Sequence, residues 1–130
     1  MSHPRTLIGV TTWVIADGYI PPTSTGRQPA MTSHDSVCML NAGDTDAEIE
    51  LHIYLTDAEP LGPYRLRIGA RRAFHQRFND LSDPEPVPVD TDYCCVIRSS
   101  VPIVVQHTRL DSRQAANALM TTIAHPVPDQ

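Results

Sequence analysis

Residues 47–56, AEIELHIYLT, alternate without a break: Ala47, Ile49, Leu51, Ile53 and Leu55 interleave with Glu48, Glu50, His52, Tyr54 and Thr56. A period of two describes a strand with one buried and one wetted face, because successive side chains of a strand point to opposite sides. The NAGDTD that precedes it is rich in residues that tolerate left-handed backbone angles and bond their own main chain. SVCMLN before that turn reads as a partner strand, which predicts a hairpin over residues 36–56.

Similar segments recur along the chain. TTWVIA (11–16) is an apolar strand that ends in the turn-rich DGYIPPTSTGRQP. PYRLRI (63–68) sets Tyr64, Leu66 and Ile68 against Arg65 and Arg67, and RRAFHQRF (71–78) sets Phe74 and Phe78 against Arg71, His75 and Arg77. After a loop rich in Pro and Asp come YCCVIRSS and VPIVVQHTRL, both strand-like. Twelve prolines argue against a helical bundle and belong at loops and strand ends. Short strands punctuated by turns predict an all-β, single-domain β-sandwich of the jelly-roll or immunoglobulin-like kind over residues 1–125. In DSRQAANALMTTIA, Asp111 or Ser112 is placed to cap a short C-terminal helix whose apolar stripe is Ala115, Ala116, Leu119, Met120 and Ile123. Residues 126–130 are expected to form a flexible tail.

Composition excludes several classes. The net charge of −5 offers no long-range attraction for DNA or an anionic membrane. No apolar run approaches the roughly 18 to 20 residues that span a bilayer, so direct membrane insertion is not expected. The first ten residues lack the pattern of a secretory signal. Cys38, Cys94 and Cys95 show no C-x-x-C spacing and read as free thiols in a reducing cytoplasm. The six histidines form no H-x-H or H-E-x-x-H pattern, and the acidic residues of 80–92 are broken up by prolines, so neither a metal site nor a cofactor is expected.

The densest polar set follows a core strand: Gln106, His107, Thr108, Arg109, Asp111, Arg113 and Gln114. On a strand, Gln106 and Thr108 share one face while His107 and Arg109 share the other. Three readings stand. Catalysis through His107 requires a nucleophile, and no G-x-S-x-G elbow or catalytic cysteine context accompanies it. Arg109, Asp111 and Arg113 are suited to bidentate pairs bracing the strand end or a subunit contact. The same donors and acceptors suit a polyhydroxylated or anionic small molecule. Arg71, Arg72, His75 and Arg77 form a second set, read as a solvated strand face, a phosphate or carboxylate site, or a nucleic-acid or protein contact. Trp13, with Asp17 in the following ADGYIPP, is either core or a stacking platform for a sugar.

The segments WVIADGYIPP, SHDSVCMLNAGDTDAEIELHIYLTDAEPLGPYRL, ARRAFHQRFNDLSDP and VPIVVQHTRLDSRQAANAL resemble the sensory rhodopsin transducer family from about residue 9 to 125. The resemblance implies a small cytoplasmic β-sandwich with a short C-terminal helix that assembles as a homotetramer. It implies a non-enzymatic role, relaying a signal from the cytoplasmic face of a retinal photoreceptor, or binding a sugar-like metabolite, with DNA as a further partner. The polar positions that match include Trp13, Ser33, His34, Asn41, Arg71, Arg72, His75, Arg77, Asn79, Asp80, Gln106, His107, Thr108, Arg109, Asp111 and Arg113. The resemblance carries over none of them as catalytic. The candidate ligand-binding residues are therefore Trp13, Asp17, His34, Arg71, His75, Arg77, Gln106, His107, Arg109, Asp111 and Arg113.

Overall fold

The computed structural model describes residues 7–128. Eight strands follow in order: β1 (Val10–Gly18), β2 (His34–Asn41), β3 (Ala47–Tyr54), β4 (Leu61–Ile68), β5 (Arg72–Arg77), β6 (Tyr93–Asp111), β7 (Ala118–Ile123) and β8 (His125–Val127). A 3-10 turn, Phe78–Asp80, follows β5. All pairings are antiparallel. One sheet runs β4-β3-β6-β1-β8 and the other runs β5-β2-β6-β7.

The two sheets share β6. YCCVIRSS and VPIVVQHTRL, read as separate strands, are one strand of 19 residues. Its first half pairs β3 as far as Ser99, and its second half pairs β2 from Val104. Between them the register against β1 jumps from Thr12↔Arg98 to Val10↔Ile103. Pro102 sits in this irregular stretch, where its missing N–H costs no ladder bond, and the Ser99 hydroxyl accepts the Val101 N–H at 3.3 Å. The backbone of Gly9 (φ 95°) presses against the bend, and a Cβ there would lie 1.9 Å from the Ile103 carbonyl oxygen. Odd-numbered residues of β6 face the core on both sides of the bend: Tyr93, Cys95, Ile97, Ile103, Val105 and His107 are buried.

The alternation of β3 is observed as expected: Ala47, Ile49, Leu51 and Ile53 are buried, against β4 residues Tyr64 and Ile68 and β6 residues Cys95 and Ile97. Fully burying a side chain of the Ile or Leu kind stabilises by about 1.5–3 kcal/mol, so this stripe anchors its sheet.

Two expectations about pairing are corrected. The hairpin over 36–56 does not form, because β2 pairs with β5 and β6 while β3 pairs with β4 and β6. The intervening turn carries the chain from one sheet to the other. Asn41 holds that crossing: its amide donates to the carbonyls of Thr45 (2.8 Å), Ile68 and Gly69 (both 3.2 Å), and its Oδ1 accepts the Gly43 N–H. The C-terminal helix does not form either. Residues 118–123 are β7, paired with β6 from Gln106 to Asp111. Thr121, Thr122 and Ile123 are β-branched and favour a strand, and the open edge of β6 supplies backbone partners that an isolated short helix lacks. Ser112 caps nothing. It is fully buried, and its N–H donates to the Ser33 hydroxyl at 2.9 Å. The tail expected over 126–130 is paired as far as Val127, with Pro126 opposite Trp13; residues 129 and 130 lie outside the described residues.

Candidate functional site

The polar end of β6 divides as its strand periodicity requires. Gln106 and Thr108 face outward, where both meet the Thr121 hydroxyl of β7, at 2.7 and 3.0 Å. His107 and Arg109 face inward, and what they meet there is Asp35 of β2.

Asp35 is fully buried. Its Oδ1 lies 2.5 Å from His107 Nε2. Its Oδ2 accepts the Tyr93 hydroxyl at 2.5 Å and the Tyr19 backbone N–H at 3.0 Å. The Arg109 guanidinium stands alongside, its Nε 3.6 Å from Oδ1; that Nε–H makes no hydrogen bond among the described residues. One carboxylate thereby ties β2 to both halves of β6 and to the segment after β1. Burial, and then the negative charge of Asp35, push the Tyr93 phenol far above the ordinary tyrosine range. Burial chiefly, with Asp35 again contributing, raises the Cys95 thiol as well. Tyr93 is also edge-on to Phe78, at a centroid distance of 5.4 Å.

A second layer closes over the first. Arg109 Nη2 donates to the Asp17 carbonyl at 2.5 Å, while the Asp17 carboxylate is solvent-exposed 3.8 Å from the same nitrogen. Arg113 forms the bidentate pair expected of it, donating from Nε (3.0 Å) and Nη2 (2.7 Å) to Asp111. That pair holds the Asp111 carboxyl below its usual range and raises the Arg113 guanidinium. Both guanidinium groups stack on the Tyr19 ring, Arg109 at 6.0 Å and Arg113 at 5.6 Å from its centroid. The Tyr19 hydroxyl in turn donates to Asp90. Arg109, Asp111 and Arg113 are thus engaged with one another's neighbourhood and with the segment that follows β1.

Beside this network β1 and β7 part. Pairing between β1 and β8 stops at Val14, and beyond it a cleft of about 290 Å³ opens, lined by Asp17, His107, Met120, Thr122 and His125 among others. His107 belongs both to this lining and to the Asp35 network, though it is only 3% exposed.

The remaining candidates lie elsewhere. Trp13 is core, its indole N–H shared between the carbonyls of Val10 (3.1 Å) and Ile103 (3.0 Å). Arg71 is not on a strand; it turns the chain before β5 with φ 54° and pairs with Asp44 at 3.0 Å. The expected grouping of Arg71 with His75 and Arg77 is thus broken. His75 and Arg77 do share the outer face of β5, and with His34 they line a separate hollow. Arg65 and Arg67 are matched by Glu50, and by Asp46 and Glu48. Sequence reasoning missed Asp35 and Tyr93, and it read the Tyr19 ring as a platform for a sugar, where the structure stacks Arg109 and Arg113 on it. The signal was present for Asp35, since it shares the inward parity of Val37 and Met39 in HDSVCM.

The model of the family described as Anabaena sensory rhodopsin transducer matches residues 8–126, nearly the whole chain. The chain belongs to the sensory rhodopsin transducer family. Among solved structures, the Anabaena sensory rhodopsin transducer is 60% identical, with a TM-score of 0.73 over 80% of this chain and 100% of that one. The Thermotoga maritima protein designated 1070 is 31% identical, with a TM-score of 0.83 over 94% of this chain and 98% of that one. No curated protein sequence matches. Membership in the transducer family fits the β architecture described above. No helix among the described residues is long and apolar enough to cross a membrane.

Proposed function

We propose that this chain is a non-enzymatic, cytoplasmic signalling protein that works as a homotetramer and relays the state of a retinal-binding membrane receptor. The observation that carries this reading is the 60% identity to a sensory rhodopsin transducer across the whole of that chain. The engagement of His107, the strongest candidate base, is with the carboxylate of Asp35 in the interior, which supports a structural part for it. Self-association is favoured by β7. The other edge strands carry arginine or proline, which blunt edge pairing, whereas β7 is uncharged and exposes Leu119 and Ile123.

A second reading, a small polar metabolite such as a sugar acid bound in the cleft over His107, is supported by Asp17, Thr122 and His125 in an otherwise largely apolar lining. A DNA-binding role has weaker support, because three arginines of the basic strip formed by Arg65, Arg67, Arg71, Arg72, His75 and Arg77, namely Arg65, Arg67 and Arg71, are offset by neighbouring carboxylates. The test is a titration of the chain against the retinal receptor encoded in the same genome, held in nanodiscs. Saturable binding supports the relay. No binding, or no such receptor gene, refutes it and leaves the metabolite reading to a thermal-shift panel of sugars and sugar acids.

A further inference from the structure

The outer face of the β5-β2-β6-β7 sheet carries a feature that neither the Asp35 network nor the cleft uses. Cross-strand register sets Arg77 beside Ser36 and His75 beside Cys38. His34 is the next outward residue of β2, about 7 Å along the strand from Ser36. These side chains, with Asp80 of the 3-10 turn, surround a hollow of about 450 Å³.

Its donors are largely unspent. Arg77 presents five N–H groups, yet among the described residues its guanidinium meets the Pro29 carbonyl alone, weakly, at 3.3 and 3.4 Å. No carboxylate among the described residues lies within ion-pair distance of it, in contrast to Arg65, Arg67 and Arg71. His34 donates Nδ1–H to the Thr32 carbonyl at 2.7 Å, which orients the ring and leaves Nε2 of the neutral imidazole to accept a hydroxyl of a ligand. His75 is exposed and forms no hydrogen bond among the described residues. The titratable groups that line the hollow are His34, Cys38, His75 and Asp80, so one acid stands against one guanidinium and two imidazoles.

From this geometry we infer a binding site for a small oxyanion, the phosphate or carboxylate group of a metabolite, with Arg77 as the principal anchor and His34 and His75 at its flanks. A guanidinium with an open fork matches the paired oxygens of either group. Asp80 on the rim accepts a hydroxyl or amine of the same molecule and disfavours a long polyanion such as nucleic acid. This site is separate from the cleft over His107 and does not depend on the receptor reading.

The experiment is a titration of the full chain with inorganic phosphate and, in parallel, with acetate at matched ionic strength in sodium chloride. It is followed by thermal unfolding and by the imidazole resonances of His34 and His75. Saturable stabilisation with movement of both imidazoles is expected, and the Arg77→Gln variant should bind roughly tenfold or more weakly, the scale of a charge-assisted hydrogen bond. A response to phosphate alone assigns the site to phosphoryl groups, and a response to both assigns it to oxyanions in general. Imidazoles that stay still in the native protein, or equal affinity in folded Arg77→Gln, overturn the proposal. The resonances of the native protein decide the matter even if that variant fails to fold.

Discussion

Replacing Asp35 by alanine removes the acceptor on which three donors converge: His107 Nε2 at 2.5 Å, the Tyr93 hydroxyl at 2.5 Å and the Tyr19 N–H at 3.0 Å. It also leaves the Arg109 guanidinium, 17% exposed, without its nearest acid in the interior. A buried donor left unsatisfied costs about 1–3 kcal/mol, and breaking a buried charged pair from one side costs about 3–5 kcal/mol. These costs overlap, because the groups share one acceptor, so Asp35→Ala should destabilise by about 3–5 kcal/mol rather than by their sum. Against a typical stability of about 5–15 kcal/mol for a domain, that is a large fraction. Tyr93→Phe removes a single donor and should cost about 1–2 kcal/mol. In the double variant the two losses should be less than additive by at least about 1 kcal/mol. Urea unfolding followed by circular dichroism at one fixed chain concentration measures all three, with the slope held constant as the check on two-state behaviour. An Asp35→Ala cost below about 1 kcal/mol, or strict additivity with Tyr93→Phe, would refute the reasoning.

Alkaline stability follows from the raised Cys95 and Tyr93 groups. The unfolded chain loses these protons at ordinary values while the folded chain keeps them, so stability is complete below those values and falls as pH rises past about 9. Each group contributes a slope of about 1.4 kcal/mol per pH unit; the chain has no lysine to titrate in the same window, and Cys95→Ala should delay the onset to about pH 10. Trp13→Phe should cost about 1–3 kcal/mol by urea unfolding, through the lost bonds to Val10 and Ile103 and the lost volume, and a cost near zero would contradict its place in the core. Leu119→Lys with Ile123→Lys should shift the mass measured by light scattering toward that of the 14.4 kDa chain with little change in unfolding temperature, since both side chains are exposed. An unchanged mass would remove β7 from the assembly surface.

What was legible in the sequence was local. The alternation of residues 47–56 gave β3 and its buried face, and the split of Gln106 and Thr108 from His107 and Arg109 followed from parity alone. Pairing across the sandwich was not legible. β2 stands next to β3 in the chain, yet finds its partners more than thirty residues away, because Asn41 redirects the backbone between sheets. The C-terminal segment misled through QAANALM, whose alanines and leucine suit a helix; the deciding factor was the open edge of β6, a tertiary feature. Asp35 escaped notice because a single acid among apolar neighbours looks like an exposed strand residue until its donors, Tyr93 and His107, are brought to it from 58 and 72 residues away.

The claim beneath this account is that the polar end of β6 turns inward to brace the sandwich on Asp35, instead of presenting His107 as a reactive group. Nitrogen-resolved NMR of the His107 imidazole tests it most directly. The account predicts an Nε2-bound proton that exchanges slowly with water and disappears in Asp35→Ala. An Nε2 without a proton, or one exchanging freely with solvent, would contradict it.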